Sequence, residues 1–356
     1  MPRKNTPRTT AYLSNQDGRP ILAAVARFRK PALLLALAVA FVVVWPTPGG
    51  LLAVGDLVYR WQSHTRQSSL LASFPGQAVL ESDHFRVHYD PATDAAWAAV
   101  VATGAEAARS AAAARLGWVP VRGAAEKVPI LLYAGFDALA AQFGPGAGFR
   151  ALGAYWGGVI QMVSPSQWLA PTPPPDAARR LWTEGPLLHE CTHYLVDQWV
   201  PSGFCPRWLA EGLAQYVEYK EAGYLWLEPA NALATPLDPS VLYRLRDLER
   251  RFERLTNTAL AYRQAFLLVA YLEESAGATS LNGLVAGLAD GLDFGRALEA
   301  TTGLGLQELE RRWLLWLDQN LDRYSGGTGE GSQSELKNTS RLPQSLLEGA
   351  FCLSWS

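Results

Sequence analysis

The chain predicts an α+β fold, in which a small mixed β-sheet with helices leads into a helical subdomain behind an N-terminal transmembrane helix. Three observations carry this. Strand-like segments are confined to residues 84–164, the pattern from residue 186 onward is helical almost throughout, and one charge-free apolar run stands near the N-terminus. A chain of 356 residues, 49% hydrophobic and 18% charged, can bury a sizeable core. Its net charge of −2 lacks the basic excess that nucleic-acid binding requires, so nucleic acid is not an expected partner.

The N-terminus comes first. Over residues 1–30, Arg3, Lys4, Arg8, Arg19, Arg27, Arg29 and Lys30 stand against a single acid, Asp17. The run "ALLLALAVAFVVVW", 32–45, follows without a charge. As a helix it measures about 21 Å at roughly 1.5 Å per residue, against roughly 30 Å for a bilayer core. Continuing through "PTPGG" to Val54 makes it long enough if the Pro-Gly break lies near the interface. The A-x-A matches, Ala36–Ala38 and Ala38–Ala40, lie inside the run and are followed by "FVVVW", which argues against signal cleavage. The basic flank precedes the span, so residues 1–30 are expected in the cytoplasm, 31–54 as a signal anchor, and the rest outside the cell membrane. A cleaved signal peptide with a secreted product and a buried core helix are the alternatives.

Residues 55–77 read as a spacer. "HFRVHY", 84–89, alternates and is rich in β-formers, and reads as a strand. The alanine-rich stretch 94–117 reads as a long helix ending at Gly117. "VPILLY", 128–133, is a buried strand, "FDALAAQF", 136–143, a short helix, and 151–164 two short strands about Gly157-Gly158. "APTPPPDAARR" reads as a Pro-rich loop. Helices are expected over 186–200, 207–222, 240–256, 258–275 and 305–323. Residues 324–356 read as a disordered linker and short tail, because "SGGTGEGSQSELKNTS" has too little apolar surface to fold. The cysteines, Cys191, Cys205 and Cys352, are too few for a disulfide framework. Cys191 lies in the early turns of the helix and Cys205 beyond its far end, roughly 13 Å or more away, which is too far for a bridge.

The chemistry concentrates at "HECTH", 189–193. On a helix, i and i+4 share a face, so His189 and His193 present two imidazoles to one point with Glu190 beside them. Zinc takes that geometry with a third protein ligand and an open position. The metzincin pattern is excluded, because its glycine and third histidine fall on Val196 and Trp199. No histidine follows His193, so the third ligand comes from Glu211 or Glu218 on the helix after "VPSGFC", from Cys205 or Asp197, or from the upstream His64, His84 and His88.

"GPLLHECTHYLVDQW" followed by "PRWLAEGLAQYVE" resembles the peptidase-MA-like metallohydrolases, a branch of the gluzincins. "SDHFRVHYDP", "VPILLY", "LGAYWGGVIQMVSP" and "AYRQAFLLVAYLEESAG" are similar to flanking segments of that family, so the resemblance spans residues 78–323. It implies a thermolysin-like zincin core there, Zn2+ held by His189, His193 and Glu211, and Glu190 as general base. Thermolysin-like relatives often carry an acid one turn after the glutamate ligand, where this chain has Gln215; Asp197 is a possible substitute. Analogy with gluzincins that use a tyrosine on a later helix implies Tyr262 as oxyanion donor, with Tyr155 and Tyr216 as rivals. Strand 159–163 is expected to pair with an extended substrate as a sheet edge, flanked by Trp156 and Trp168.

The implied protein is a membrane-anchored zinc metallopeptidase acting on peptide or protein substrates. The other class weighed is an inactive or non-peptidase zinc-binding module anchored to the membrane. The anchor has a direct check in fractionation with N-terminal sequencing. An intact N-terminus in the membrane fraction, with residue 100 onward open to external protease, is expected. A soluble product starting between residues 41 and 60 would mean a secreted enzyme.

Overall fold

Every residue of "VPILLY" is buried, as in a strand covered on both faces. This computed structural model describes residues 48–75, 78–118, 127–143, 151–169, 174–200, 205–223 and 242–324. The buried strand, β3 (Val128–Tyr133), is central in a five-stranded mixed sheet with β1 (Ala78–Glu81), β2 (Phe85–Tyr89), β4 (Gly153–Trp156) and β5 (Val159–Val163), ordered β1-β2-β3-β5-β4. The three inner strands run parallel, and the two edge strands run antiparallel to their neighbours.

One face of the sheet presents Phe85, Val87, Ile130, Leu132, Ile160 and Met162 to the main core. Against it pack α2 (Ala95–Leu116) and α5 (Leu187–Trp199). The buried alanines of α2, among them Ala98, Ala105 and Ala112, leave little side chain between the two helices. The opposite face presents Leu131, Tyr133, Val159 and Val163, covered by Leu139 of α3 (Phe136–Ala140) and by Leu70.

Leu70 belongs to α1 (Pro48–Ser73), so the stretch expected as a spacer is helical as far as Ser73. Tyr59, Ser63, Gln67 and Leu70 fall at helical spacing on its less exposed face. The face is too polar to read as amphipathic, yet its last turn enters the sheet's apolar surface. No helix among the described residues is long and apolar enough to cross a membrane. The fold class therefore stands as α+β without support for the transmembrane helix, and residues 1–47 and 325–356, on which the basic flank, the apolar run 32–45 and the tail fall, lie outside the described residues. The chain divides into two compact units, Met1–Gly55 and Asp56–Ser356, and the described residues of the first, 48–55, are helical.

The Pro-rich loop is the start of a further helix, α4 (Pro174–Glu184). Proline is tolerated in a first turn, where its missing N–H has no partner to lose, and Arg180 pairs with Glu184 one turn on at 2.9 Å. After α5 come α6 (Arg207–Ala222), α7 (Leu245–Arg251), α8 (Thr258–Ala276), α9 (Ala278–Ala289), α10 (Phe294–Thr302) and α11 (Leu306–Asn320). The helix expected over 240–256 is shorter, giving way to a 3-10 turn at Phe252–Arg254. Helices α9 and α10 fill a stretch where no helix was expected.

Helix α6 lies between α5 and α8. Its crossing with α8 is close, because a Cβ on Gly212 would stand 2.5 Å from the carbonyl oxygen of Ala265. Replacing a helical glycine by alanine ordinarily stabilises by about 0.5–1 kcal/mol. Here Gly212→Ala is expected to destabilise, by about 1–3 kcal/mol as overpacking does, and to disturb the adjacent Glu211. Urea unfolding of the variant beside wild type reads the sign.

Candidate metal centre

The connection from α5 to α6 is short, so the two helices return on each other and their facing sides meet. On α5, Leu188, Cys191, Thr192 and Leu195 are buried. His189 and His193 lie one turn apart with ring centroids 4.8 Å from each other. On α6, Trp208, Leu209, Leu213 and Val217 anchor the helix in the core, and Trp208 stacks edge-on to Phe294 at 5.3 Å. This rotation turns Glu211 towards the histidines.

Oε2 of Glu211 stands 3.3 Å from Nε2 of His189 and 3.4 Å from Nε2 of His193. Among the described residues, these three form a group able to hold a metal ion, with ligand atoms all within 4.8 Å of one another. A tetrahedral ion with bonds of about 2.0–2.1 Å separates its ligand atoms by about 3.3 Å. The donor set and the two distances to Glu211 therefore fit such an ion. The upstream histidines His64, His84 and His88 lie outside this group: Nδ1 of His84 pairs with Glu106 at 2.7 Å, and His88 stands on β2, edge-on to Phe74.

Two members of the group have support. Glu218, two turns beyond Glu211, faces Nδ1 of His189 at 3.0 Å. Weighed from the sequence as a rival ligand, it instead holds the ring whose other nitrogen faces Glu211, the service an acid renders a metal-binding histidine. The second oxygen of Glu211 pairs with Arg207 at 2.7 Å. Burial disfavours the imidazolium of His189, but Glu218 and Glu211 outweigh it and hold its pKa well above the ordinary histidine value. Burial likewise opposes the charge on Glu211, and His193, His189 and Arg207 outweigh it, holding that carboxyl well below the usual range.

Glu190 is 5% exposed, and burial raises its pKa above that of an ordinary carboxylate, against the pull of His189 and His193. A carboxylate so placed takes up a proton more readily, which suits proton transfer near neutral pH. The backbone amide of Tyr155 lies near it and pulls that pKa the other way. Strand β4 comes close enough for this because residue 153 has no side chain; a Cβ there would lie 2.6 Å from Pro186 and 3.3 Å from Cγ of Glu190.

Tyr262 does reach this region. Its hydroxyl interacts with Glu211 and Arg207, and burial, then Glu211, push its pKa up. Its rivals point elsewhere: Tyr216 is buried with its hydroxyl towards Glu273, and Tyr155 donates to Asp197 at 2.6 Å. Asp197 also accepts from Tyr59. Cys191 and Cys205 are free thiols.

The sheet edge differs from expectation. Strand β5 lies between β3 and β4, because the turn at Gly157-Gly158, with φ of 63° and 80°, folds β4 back along it. The free edge on this side is β4. Trp156 alternates away from Tyr155, onto the face of α1, where Arg66 lies over its ring at 5.0 Å. Trp168 is partly buried against both cores.

The supporting role of Glu218 has a measurable consequence. Glu211→Ala is expected to abolish stable metal binding, whereas Glu218→Gln should weaken it about 10- to 100-fold while one ion still binds per chain at saturation. Competition titration against a chelating dye separates the two. Equal losses would make Glu218 a ligand.

No curated protein and no solved structure matches the chain. The resemblance carried by the two motifs stands: residues 175–319, which hold all of His189, Glu190, His193, Glu211 and Glu218, match the family model described as the peptidase MA superfamily.

Proposed function

We propose that this protein is a zinc-dependent metallopeptidase of gluzincin type, hydrolysing peptide bonds in peptide or protein substrates. The observation that carries the reading is Glu190, a buried carboxylate next to the His189–His193–Glu211 group and outside it. A purely structural metal site closes with a fourth protein ligand and has no use for such a group. The match to the peptidase MA superfamily supports the same reading.

In this mechanism His189, His193 and Glu211 hold the ion, Glu218 fixes the ring of His189, and Arg207 neutralises the second oxygen of Glu211. Zinc, when bound, supplies Lewis acidity that brings a water towards neutral pKa and polarises the scissile carbonyl. Glu190 accepts the proton of the attacking water and delivers it to the leaving amine. Tyr262 donates its hydroxyl hydrogen to the developing oxyanion, for which it must exchange its contact with Glu211. The outward-facing backbone of β4 at Gly153 aligns an extended substrate. With the basic N-terminus and residues 31–54 as signal anchor, the catalytic domain works outside the cell membrane.

Glu190→Gln tests the central role. The variant should keep its zinc and its fold and lose turnover of fluorescein-labelled casein by about 10²-fold or more, the range for a general base. Substantial residual turnover would remove Glu190 from that role. A wild type inactive on any peptide would favour the non-catalytic zinc-binding module.

A further inference from the structure

In a two-residue hairpin the residues flanking the turn exchange hydrogen bonds, and the next pair turns its N–H and C=O outward. In the β4–β5 hairpin Trp156 flanks the turn opposite Val159, so the next pair is Tyr155 with Ile160. The bond from Val163 N–H to the Leu152 carbonyl, 2.8 Å, has the same parity. The N–H of Tyr155 therefore points off the sheet edge, towards Glu190, whose Cγ would lie 3.3 Å from a Cβ on Gly153 of the same strand. The orientation of Glu190 thus depends on where β4 stands relative to α5.

The Tyr155 side chain ties the two together. It projects to the α5 face and donates its hydroxyl to Oδ2 of Asp197 at 2.6 Å, one turn beyond His193. The other oxygen, Oδ1, accepts the hydroxyl of Tyr59 from α1, 138 residues away in sequence. Helix α1 is held alongside by Arg66, stacked over Trp156 of the same strand, and by Leu70, buried against the outer face of the sheet. Hydrogen bonds to an ionised acceptor are about twice as strong as neutral ones. One carboxylate on the active-site helix is thereby bound to the edge strand and to α1 at once.

We propose that Tyr59, Asp197 and Tyr155 form a clamp that registers β4 against α5 and so positions Glu190 for proton transfer. Tyr59 and Tyr155 act as positioning residues, and α1 is part of the working site although it precedes both the expected domain start at residue 78 and the matched segment 175–319. This rests on the peptidase reading, within which it assigns a task to residues that reading leaves unused.

The test compares Tyr59→Phe, Tyr155→Phe, Asp197→Ala and Asp197→Asn in the full-length, zinc-loaded chain on fluorescein-labelled casein, with Glu190→Gln as reference. We expect the two Phe variants and Asp197→Ala to keep one zinc per chain and the wild-type circular dichroism spectrum. Their kcat should fall about 10- to 100-fold, within what a general base contributes, with KM nearly unchanged. Asp197→Asn, which keeps an acceptor for a tyrosine hydroxyl, should recover much of the loss, and adding Tyr59→Phe to Glu190→Gln should cost nothing further. Wild-type kcat in both Phe variants overturns the clamp. So does a fall accompanied by lost zinc or helix content, or one that compounds fully with Glu190→Gln. If the wild type turns over no casein, the peptidase reading fails by itself, and the cobalt-substituted protein decides the clamp. Its visible spectrum should change in Tyr59→Phe as it does in Glu190→Gln. An unchanged spectrum, or a chain that takes up no cobalt, overturns it.

Discussion

Burying ionisable groups together is the constraint around which this molecule is arranged. His189, Glu190, Glu211 and Glu218 are each less than a tenth exposed, and an unpaired charge in such surroundings costs several kcal/mol. The arrangement distributes that cost over partners. Glu218 and Glu211 stand on either side of the ring of His189, and Arg207 covers the outer oxygen of Glu211. Helix α6 meets these demands only at one rotation, which Trp208, Leu213 and Val217 hold from the core side and the close approach at Gly212 holds from α8. Packing and electrostatics specify the same geometry.

What was legible in the sequence follows the range of the interactions. His189 and His193 are four apart on one helix, so the helical period places them together without knowledge of the rest of the fold. The strands at 84–89, 128–133 and 151–164 and the helix after residue 94 likewise declare themselves by local pattern, and the α+β class follows from their order. Glu211 needed the resemblance as well, since spacing alone left Glu218 beside it. The task of Glu218 was hidden because it depends on which nitrogen of His189 faces Glu211.

The misses are long-range or masked by composition. Strand 159–163 looked like an edge because nothing local tells an edge from an interior strand; the tight turn at Gly157-Gly158 decides it. Residues 55–73 looked like a spacer because the inner face of α1 carries Tyr59, Ser63 and Gln67 before the one buried apolar residue, Leu70. Its Tyr59 pairs with Asp197, which no window around residue 60 contains. The start of α4 was obscured by its prolines, which are compatible with a first turn.

The separation in sequence between paired groups sets an order of assembly. The contact of His189 with Glu211 closes over 22 residues and lies within one helical hairpin, whereas Tyr59 reaches Asp197 across 138. The entropy of loop closure grows with length and contacts between distant segments form late. The helical pair that carries His189, His193 and Glu211 therefore comes together early on folding, ahead of the α1–β4 flank. Partial unfolding runs the other way. The flank with few apolar contacts opens at low cost while the helical core holds, so a stressed molecule keeps His189, His193 and Glu211 assembled after β4 has moved away from Glu190.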